Sequence, residues 1–130
     1  MATAAARPPP VLHLIAPAPF DGLILVDVEG DLDASALSRW SQLLNGAITE
    51  GARGIAIDLR GCRAIDLSCL SVLVAGSSQP RARGDGGISL VIAPGSLVER
   101  RVRATRAKRL PAYSSAAEAL LSLRDAQWAA

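Results

Sequence analysis

The run Ile55-Ala56-Ile57-Asp58-Leu59 constrains the fold more than any other segment. It is short, carries β-branched residues, and is apolar at consecutive rather than strictly alternating positions. A strand of that kind is covered on both faces, so it belongs at the centre of a sheet with helices packed on it.

The flanking segments supply those layers. Val11, Leu12, Leu14 and Ile15 read as one short strand and Leu23 to Val28 as a second, joined by a Pro17 to Gly22 turn, so an antiparallel hairpin opens the domain. Asp33 is placed to cap a helix in which Leu37, Trp40, Leu44 and Ile48 recur at the spacing of one buried face, and Gly51 ends it. After the central strand, Leu67, Leu70, Leu73 and Val74 repeat the helical spacing until the tract Gly76 to Gly87, with Pro80 and four glycines, opens a loop. Ile88 to Ile92 reads as a fourth strand, Leu97, Val98 and Val102 as a short helix, and Leu110 as a last strand-like touch. Ser115-Ala-Ala-Glu118 has capping-box spacing and predicts a terminal helix to about Leu123. The order β, β, α, β, α, β, α, short β, α calls for an α/β domain with a mixed sheet of four to five strands and about four flanking helices. Residues 1–10, rich in Ala and Pro, are expected to form a flexible arm, residues 11–125 the domain, and residues 126–130 a C-terminal tail.

A chain of 130 residues that is 50% hydrophobic can bury one genuine core. Its formal net charge is only +2, so attraction to an anionic partner must be local. Six of the fourteen basic residues, Arg100, Arg101, Arg103, Arg106, Lys108 and Arg109, fall in residues 100–109; the eight that remain face twelve acids, so the rest of the chain carries −4. This tract has no aromatic residue for base stacking, so direct nucleic-acid binding is not expected; it reads as a solvated helix face, with an acidic protein or phospholipid headgroup as the alternative partner. The apolar runs fall short of the roughly 20 residues that cross a bilayer, and the N-terminus lacks the pattern of a secretory signal, so a cytoplasmic location is expected. Cys62 and Cys69, with His13 as the one further soft ligand, fall short of a structural zinc set and read as two small buried thiols.

Ligands and partners of such sheets usually meet the loops at the C-terminal ends of the parallel strands. Two such segments carry polar groups: Gly30-Asp31-Leu32-Asp33, and Ile65-Asp66-Leu67-Ser68-Cys69-Leu70. Ser68 stands at or near a helix start, where free amides and the dipole can hold a phosphate, although residue preference alone makes it a helix cap. Cys69 lies where a helix terminus can lower a thiol's pKa, but a small side chain packed against the sheet is the commoner role.

This pattern resembles the STAS domain family, and within it the anti-sigma factor antagonists. The likeness spans roughly residues 11–123. It rests on Gly30-Asp31-Leu32-Asp33, similar to the family's Gly-Glu-Leu-Asp; on Asp58-Leu59-Arg60-Gly61-Cys62, similar to Asp-Leu-Ser-x-Val; and on Asp66-Leu67-Ser68-Cys69-Leu70, where the family reads Asp-Ser-Ser-Gly-Leu. The resemblance implies a regulatory binding protein rather than an enzyme, with Ser68 as the phosphorylated serine. Gly30, Asp31, Leu32, Asp33, Asp66, Leu67, Ser68 and Cys69 are the implied partner-binding residues. The implied partners are an anti-sigma factor with an ATPase-like serine kinase domain and a phosphatase that reverses its action; homodimerisation is left open. Leu67 replaces the family's first serine, and Cys69 replaces a glycine that lets a partner or kinase approach closely; a bulkier residue there can obstruct phosphorylation with the fold intact, which leaves a constitutive binder and a chain that answers to a different kinase as open alternatives. Arginine far outnumbers the single lysine, Lys108, which fits a GC-rich bacterial genome.

The alternative function is a STAS subunit of a membrane-associated transport complex, such as a lipid-transport ATPase. A small hydrolase is more remote, since His13 lies in a predicted strand away from Ser68. Gly84-Asp85-Gly86-Gly87 lacks the lysine of a P-loop. Asp33 is already accounted for as a cap, so Asp31, Asp33 and Asp66 are not assigned to a metal. No catalytic residue, metal or cofactor is expected.

Overall fold

The computed structural model describes residues 9–15, 22–77 and 87–128. One sheet has the strand order β1-β2-β3-β4-β5. The first strand, β1 (Val11–Ile15), pairs antiparallel with β2 (Leu23–Leu32), and β3 (Gly54–Ile65), β4 (Ile88–Val91) and β5 (Ala112–Tyr113) follow in parallel. The helices are α1 (Leu37–Thr49), α2 (Leu67–Ser77), α3 (Leu97–Arg103) and α4 (Ala116–Trp128). This is the mixed five-stranded α/β arrangement that the order of elements called for.

The central strand divides its side chains between two cores. Ile55, Ile57 and Leu59 join Val26, Val28 and Leu90 under Trp40, Leu44 and Ile48 of α1, Leu70 and Leu73 of α2, and Val98 and Val102 of α3. Ala56 points the other way, with Leu23 and Val91, against Ala119, Leu120 and Leu123 of α4. Residues 54–59 are therefore buried without interruption, which is the physical origin of the non-alternating pattern.

Several boundaries differ from the sequence expectation. Strands β2 and β3 run past Val28 and Leu59, so Gly30, Asp31 and Leu32 belong to a strand and not to a loop. Past residue 59 burial becomes intermittent and irregular, with Arg60, Gly61 and Arg63 exposed and Cys62 and Ile65 buried, which an unbroken apolar run cannot signal. Register shifts between Asp27 and Glu29 and between Gly30 and Leu32 accompany this extension. At Gly61 a Cβ would lie 2.9 Å from the Val28 carbonyl oxygen, so the close pairing needs a glycine. The last strand is Ala112–Tyr113 rather than Leu110; Leu110 is buried at the end of a 3-10 turn over Arg106–Arg109. What fixes the strand is backbone pairing, with Leu90 N donating to Pro111 O (2.8 Å) and Ile92 N to Tyr113 O (2.9 Å).

Ser115 caps α4, accepting from the Glu118 amide at 3.2 Å, and the helix continues past Leu123 to Trp128, into the segment expected as a tail. Helix α2 still includes Gly76 and Ser77, where the loop was expected to begin. Residues 1–8 of the expected arm, 16–21 of the first turn and 78–86 of the loop, with Gly84, Asp85 and Gly86, lie outside the described residues. Among the described residues no helix is long and apolar enough to cross a membrane.

Candidate functional site

The long pairing of β2 with β3 carries both strands to the same end of the sheet. Leu32 pairs with Ile65, and the Asp66 amide donates to the Leu32 carbonyl at 2.8 Å. Each strand then leads into an Asp-x-Ser turn. Asp33 accepts from the Ser35 amide (3.0 Å) and hydroxyl; Asp66 accepts from the Ser68 amide (3.0 Å) and hydroxyl. A carboxylate accepting from the amide two residues on is a helix cap. The cap of α2 is therefore Asp66 and not Ser68, and Ser68 occupies the second helical position, half-buried, with its hydroxyl turned to the carboxylate.

Two buried side chains set the pose of this first turn. The Trp40 indole N–H donates to the Cys69 carbonyl at 3.0 Å, and the Cys69 thiol reaches the Asp33 carbonyl at 3.7 Å. Trp40 and Cys69 are each 0% exposed. Trp40, which its spacing places on the buried face of α1, is a core residue that ties α1 to the head of α2, because its N–H must find an acceptor there. Burial, aided by the Asp66 charge, pushes the Cys69 thiol up to about 11, the reverse of the lowering a helix terminus would give. The expectation that Cys69 obstructs an approaching kinase is corrected, since its side chain points into the core. Leu67, by contrast, is 53% exposed beside Ser68. Cys62 is also buried, which raises its pKa, and its thiol donates to the Ala64 carbonyl at 3.1 Å.

The residues singled out in sequence thus come together at one end of the sheet but divide in role. Gly30, Asp33, Asp66, Leu67 and Ser68 reach the surface to differing degrees, whereas Asp31, Leu32 and Cys69 are buried and shape the backbone beneath. Asp31 lies 3.6 Å from the exposed Arg63. Within Asp58-Leu59-Arg60-Gly61-Cys62, Asp58 grips the Arg60 guanidinium with contacts of 2.7 and 3.0 Å.

The Ser68 hydroxyl, and secondarily its amide, hold the Asp66 carboxyl below its ordinary range; the charge of Arg101 adds a smaller effect in the same direction. Arg101 thereby connects the basic tract to this site. All six cations of that tract are exposed, and Arg103 reaches Glu99 at 3.4 Å. A groove of about 470 Å³ opens next to the site, lined by Leu67, Leu70, Ser71, Val74, Thr105 and Arg106 among others. Sequence reasoning missed it, because it exists only where α2 is apposed to residues distant along the chain. Among the described residues no group of three or more His, Cys, Asp or Glu is placed to hold a metal ion.

A five-stranded mixed sheet with a serine at the head of the helix after its central strand defines a STAS-type fold. The family described as "Mlab, STAS domain" matches residues 21–112, most of the chain, and the chain belongs to it. The fold is similar to that of the anti-sigma factor antagonist from Mycobacterium paratuberculosis, at 20% identity and a TM-score of 0.76, covering 89% of this chain and 95% of that one. It is also similar to the Bacillus cell fate determinant SpoIIAA in its phosphorylated form, at 16% identity and a TM-score of 0.59, with 85% and 96% covered. A sulfate transporter family protein from Wolinella succinogenes shares 17% identity and a TM-score of 0.54, with 95% and 93% covered. No curated protein sequence matches the chain significantly.

Proposed function

We propose that this protein is a non-enzymatic regulatory binding module of the anti-sigma factor antagonist type, acting in the bacterial cytoplasm to control transcription under stress. Its partner is an anti-sigma factor with an ATPase-like serine kinase domain, a phosphatase restores the free state, and Ser68 is the switch. The carrying observation is the Ser68 hydroxyl donated to Asp66 at the head of α2. Transfer of the terminal phosphoryl group of ATP by the kinase to this oxygen breaks that group's bond to ADP and releases the hydroxyl proton to solvent, so the bond donated to Asp66 is lost. It also places about −1.5 to −2 charge beside a carboxylate already held in its ionised form. Repulsion then opposes any acidic partner surface seated over Asp66, Leu67 and Ser68, while the buried Asp31, Leu32 and Cys69 hold the framework unchanged. The likeness to SpoIIAA, solved in a phosphorylated form, supports the reading.

The test is intact-mass spectrometry of the protein from its native cells, before and after phosphatase treatment, with fragmentation to place any phosphate. Phosphatase-sensitive phosphate on Ser68 is the expected result; its absence across growth and stress conditions overturns the switch. Ser68→Asp is expected to weaken binding to the co-purifying partner by about tenfold or more.

A second reading, a subunit of a membrane-associated transport assembly, draws on the likeness to a sulfate transporter family protein. Recovery with membrane transporter subunits, rather than with a soluble ATPase-fold protein, is the result that favours it.

A further inference from the structure

Strand β1 is one edge of the sheet, and among the described residues no strand pairs with its outer side. Its sequence, Val11-Leu12-His13-Leu14-Ile15, has none of the lysines, carboxylates or prolines that usually keep edge strands apart. Val11 and Leu14 are 43% and 49% exposed. The pattern also reads nearly alike in both directions about His13. Paired antiparallel with a second copy, Leu12 faces Leu14 and Val11 faces Ile15 on either side of a two-fold axis at His13. Self-complementarity of this kind is what a two-fold interface requires.

Helix α1 continues the match. Arg39, Gln42, Leu43, Gly46, Ala47 and Glu50 form one stripe at helical spacing, and with Leu12 and Leu14 they line a groove of about 380 Å³ alongside β1. The stripe has a direction. Arg39 stands at the start of the strand, where its guanidinium reaches the Pro10 carbonyl at 3.5 Å. Glu50 lies eleven residues further along the stripe, about 16 Å at 1.5 Å per residue, close to the roughly 14 Å that a four-residue step covers between Val11 and Ile15. A two-fold rotation about His13 brings the start of one strand to the end of the other. Arg39 of each copy then faces Glu50 of its partner, and the two apolar grooves meet at the axis.

We propose that β1 is a homodimer interface: two copies pair their β1 strands antiparallel about His13, fusing two five-stranded sheets into one, with reciprocal Arg39–Glu50 pairs across α1. This interface is distinct from the site at Ser68 and stands or falls independently of the switch.

Sedimentation velocity on the full chain, from micromolar to millimolar concentration, tests it. A reversible monomer–dimer equilibrium is expected. Leu14→Arg abolishes it by setting a charge into the apolar pairing. Glu50→Arg sets like charges against Arg39 of the partner twice per dimer and weakens association by about tenfold. Arg39→Glu combined with Glu50→Arg restores association to near its original strength. Both charged positions are exposed, so this pair remains decisive even if Leu14→Arg fails to fold. A chain that stays monomeric throughout, a dimer indifferent to Leu14→Arg, or a Glu50→Arg defect that the double exchange does not rescue overturns the proposal.

Discussion

Replacing Trp40 with phenylalanine asks how far one buried indole holds the head of α2 in place. Trp40 is 0% exposed and leads the large side chains of the core, and its N–H donates to the Cys69 carbonyl at 3.0 Å. Phenylalanine keeps an aromatic ring but removes the five-membered ring and the donor. About 40 Å² of buried apolar surface at ~25 cal/mol per Å² accounts for about 1 kcal/mol. An unfilled volume on the order of 40 Å³, at ~24 cal/mol per Å³, accounts for about 1 kcal/mol more. The Cys69 carbonyl keeps its partner within α2, so the lost hydrogen bond costs about 1 kcal/mol, the lower end for a buried group. The total of ~3 kcal/mol is a large fraction of the stability of a domain this size, and lowers the melting temperature by roughly 10 °C. Urea unfolding followed by far-ultraviolet circular dichroism measures it without depending on the tryptophan signal being altered. A loss below about 0.5 kcal/mol, the range of an ordinary surface substitution, refutes the assignment of Trp40 as the tie between α1 and α2.

Three other predictions rest on single features. Gly61→Ala puts a methyl group 2.9 Å from the Val28 carbonyl oxygen and is expected to cost about 1–3 kcal/mol in the same unfolding assay, whereas Gly46→Ala, with nothing within 4 Å, costs none. The Asp66 carboxyl, held low first by the Ser68 hydroxyl, contributes stability that is present above its unfolded value and lost as pH falls through its folded value; carboxyl NMR titration is expected to place Asp66 below 3.8 in the native protein and higher in Ser68→Ala. Cys69, raised to about 11, contributes stability that is present below its unfolded value and lost as pH rises through 11, so at neutral pH a thiol-specific disulfide reagent is expected to find Cys62 and Cys69 unreactive until urea is added.

What the sequence made legible was whatever a local pattern encodes. Leu37, Trp40, Leu44 and Ile48 gave α1, and Ile55 to Leu59 gave the doubly covered strand, because burial is written directly in hydrophobic period. The ends of β2 and β3 were less legible, since beyond residue 59 the strand is buried only at Cys62 and Ile65, with no regular period, and its pairing depends on close approach at Gly61. The short strand at Ala112–Tyr113 has no pattern of its own and is set by backbone bonds to β4. At the site, the position of Ser68 near a helix start was readable, but the choice of Asp66 as cap was not: Asp and Ser both cap well, and geometry decides between neighbours. The groove beside Leu67 and the influence of Arg101 on Asp66 arise from tertiary apposition, which a single sequence does not display.

That same geometry assigns different weights to the two departures from the family pattern. Neighbouring helical residues point about 100° apart. Once Trp40 binds the Cys69 carbonyl and the Cys69 thiol lies against Asp33, position 69 faces inward and position 67 must face outward. A glycine replaced at position 69 is therefore a change of packing: the added thiol occupies core space and leaves the outer face of the turn as it was. A serine replaced by Leu67 is a change of surface, since it sets a 53% exposed apolar side chain beside the Ser68 hydroxyl and makes it one wall of the groove toward Thr105 and Arg106. The hydroxyl itself keeps its Asp66 partner, with the apolar Leu67 on one side of it and the positive charge of Arg101 and Arg106 on the other.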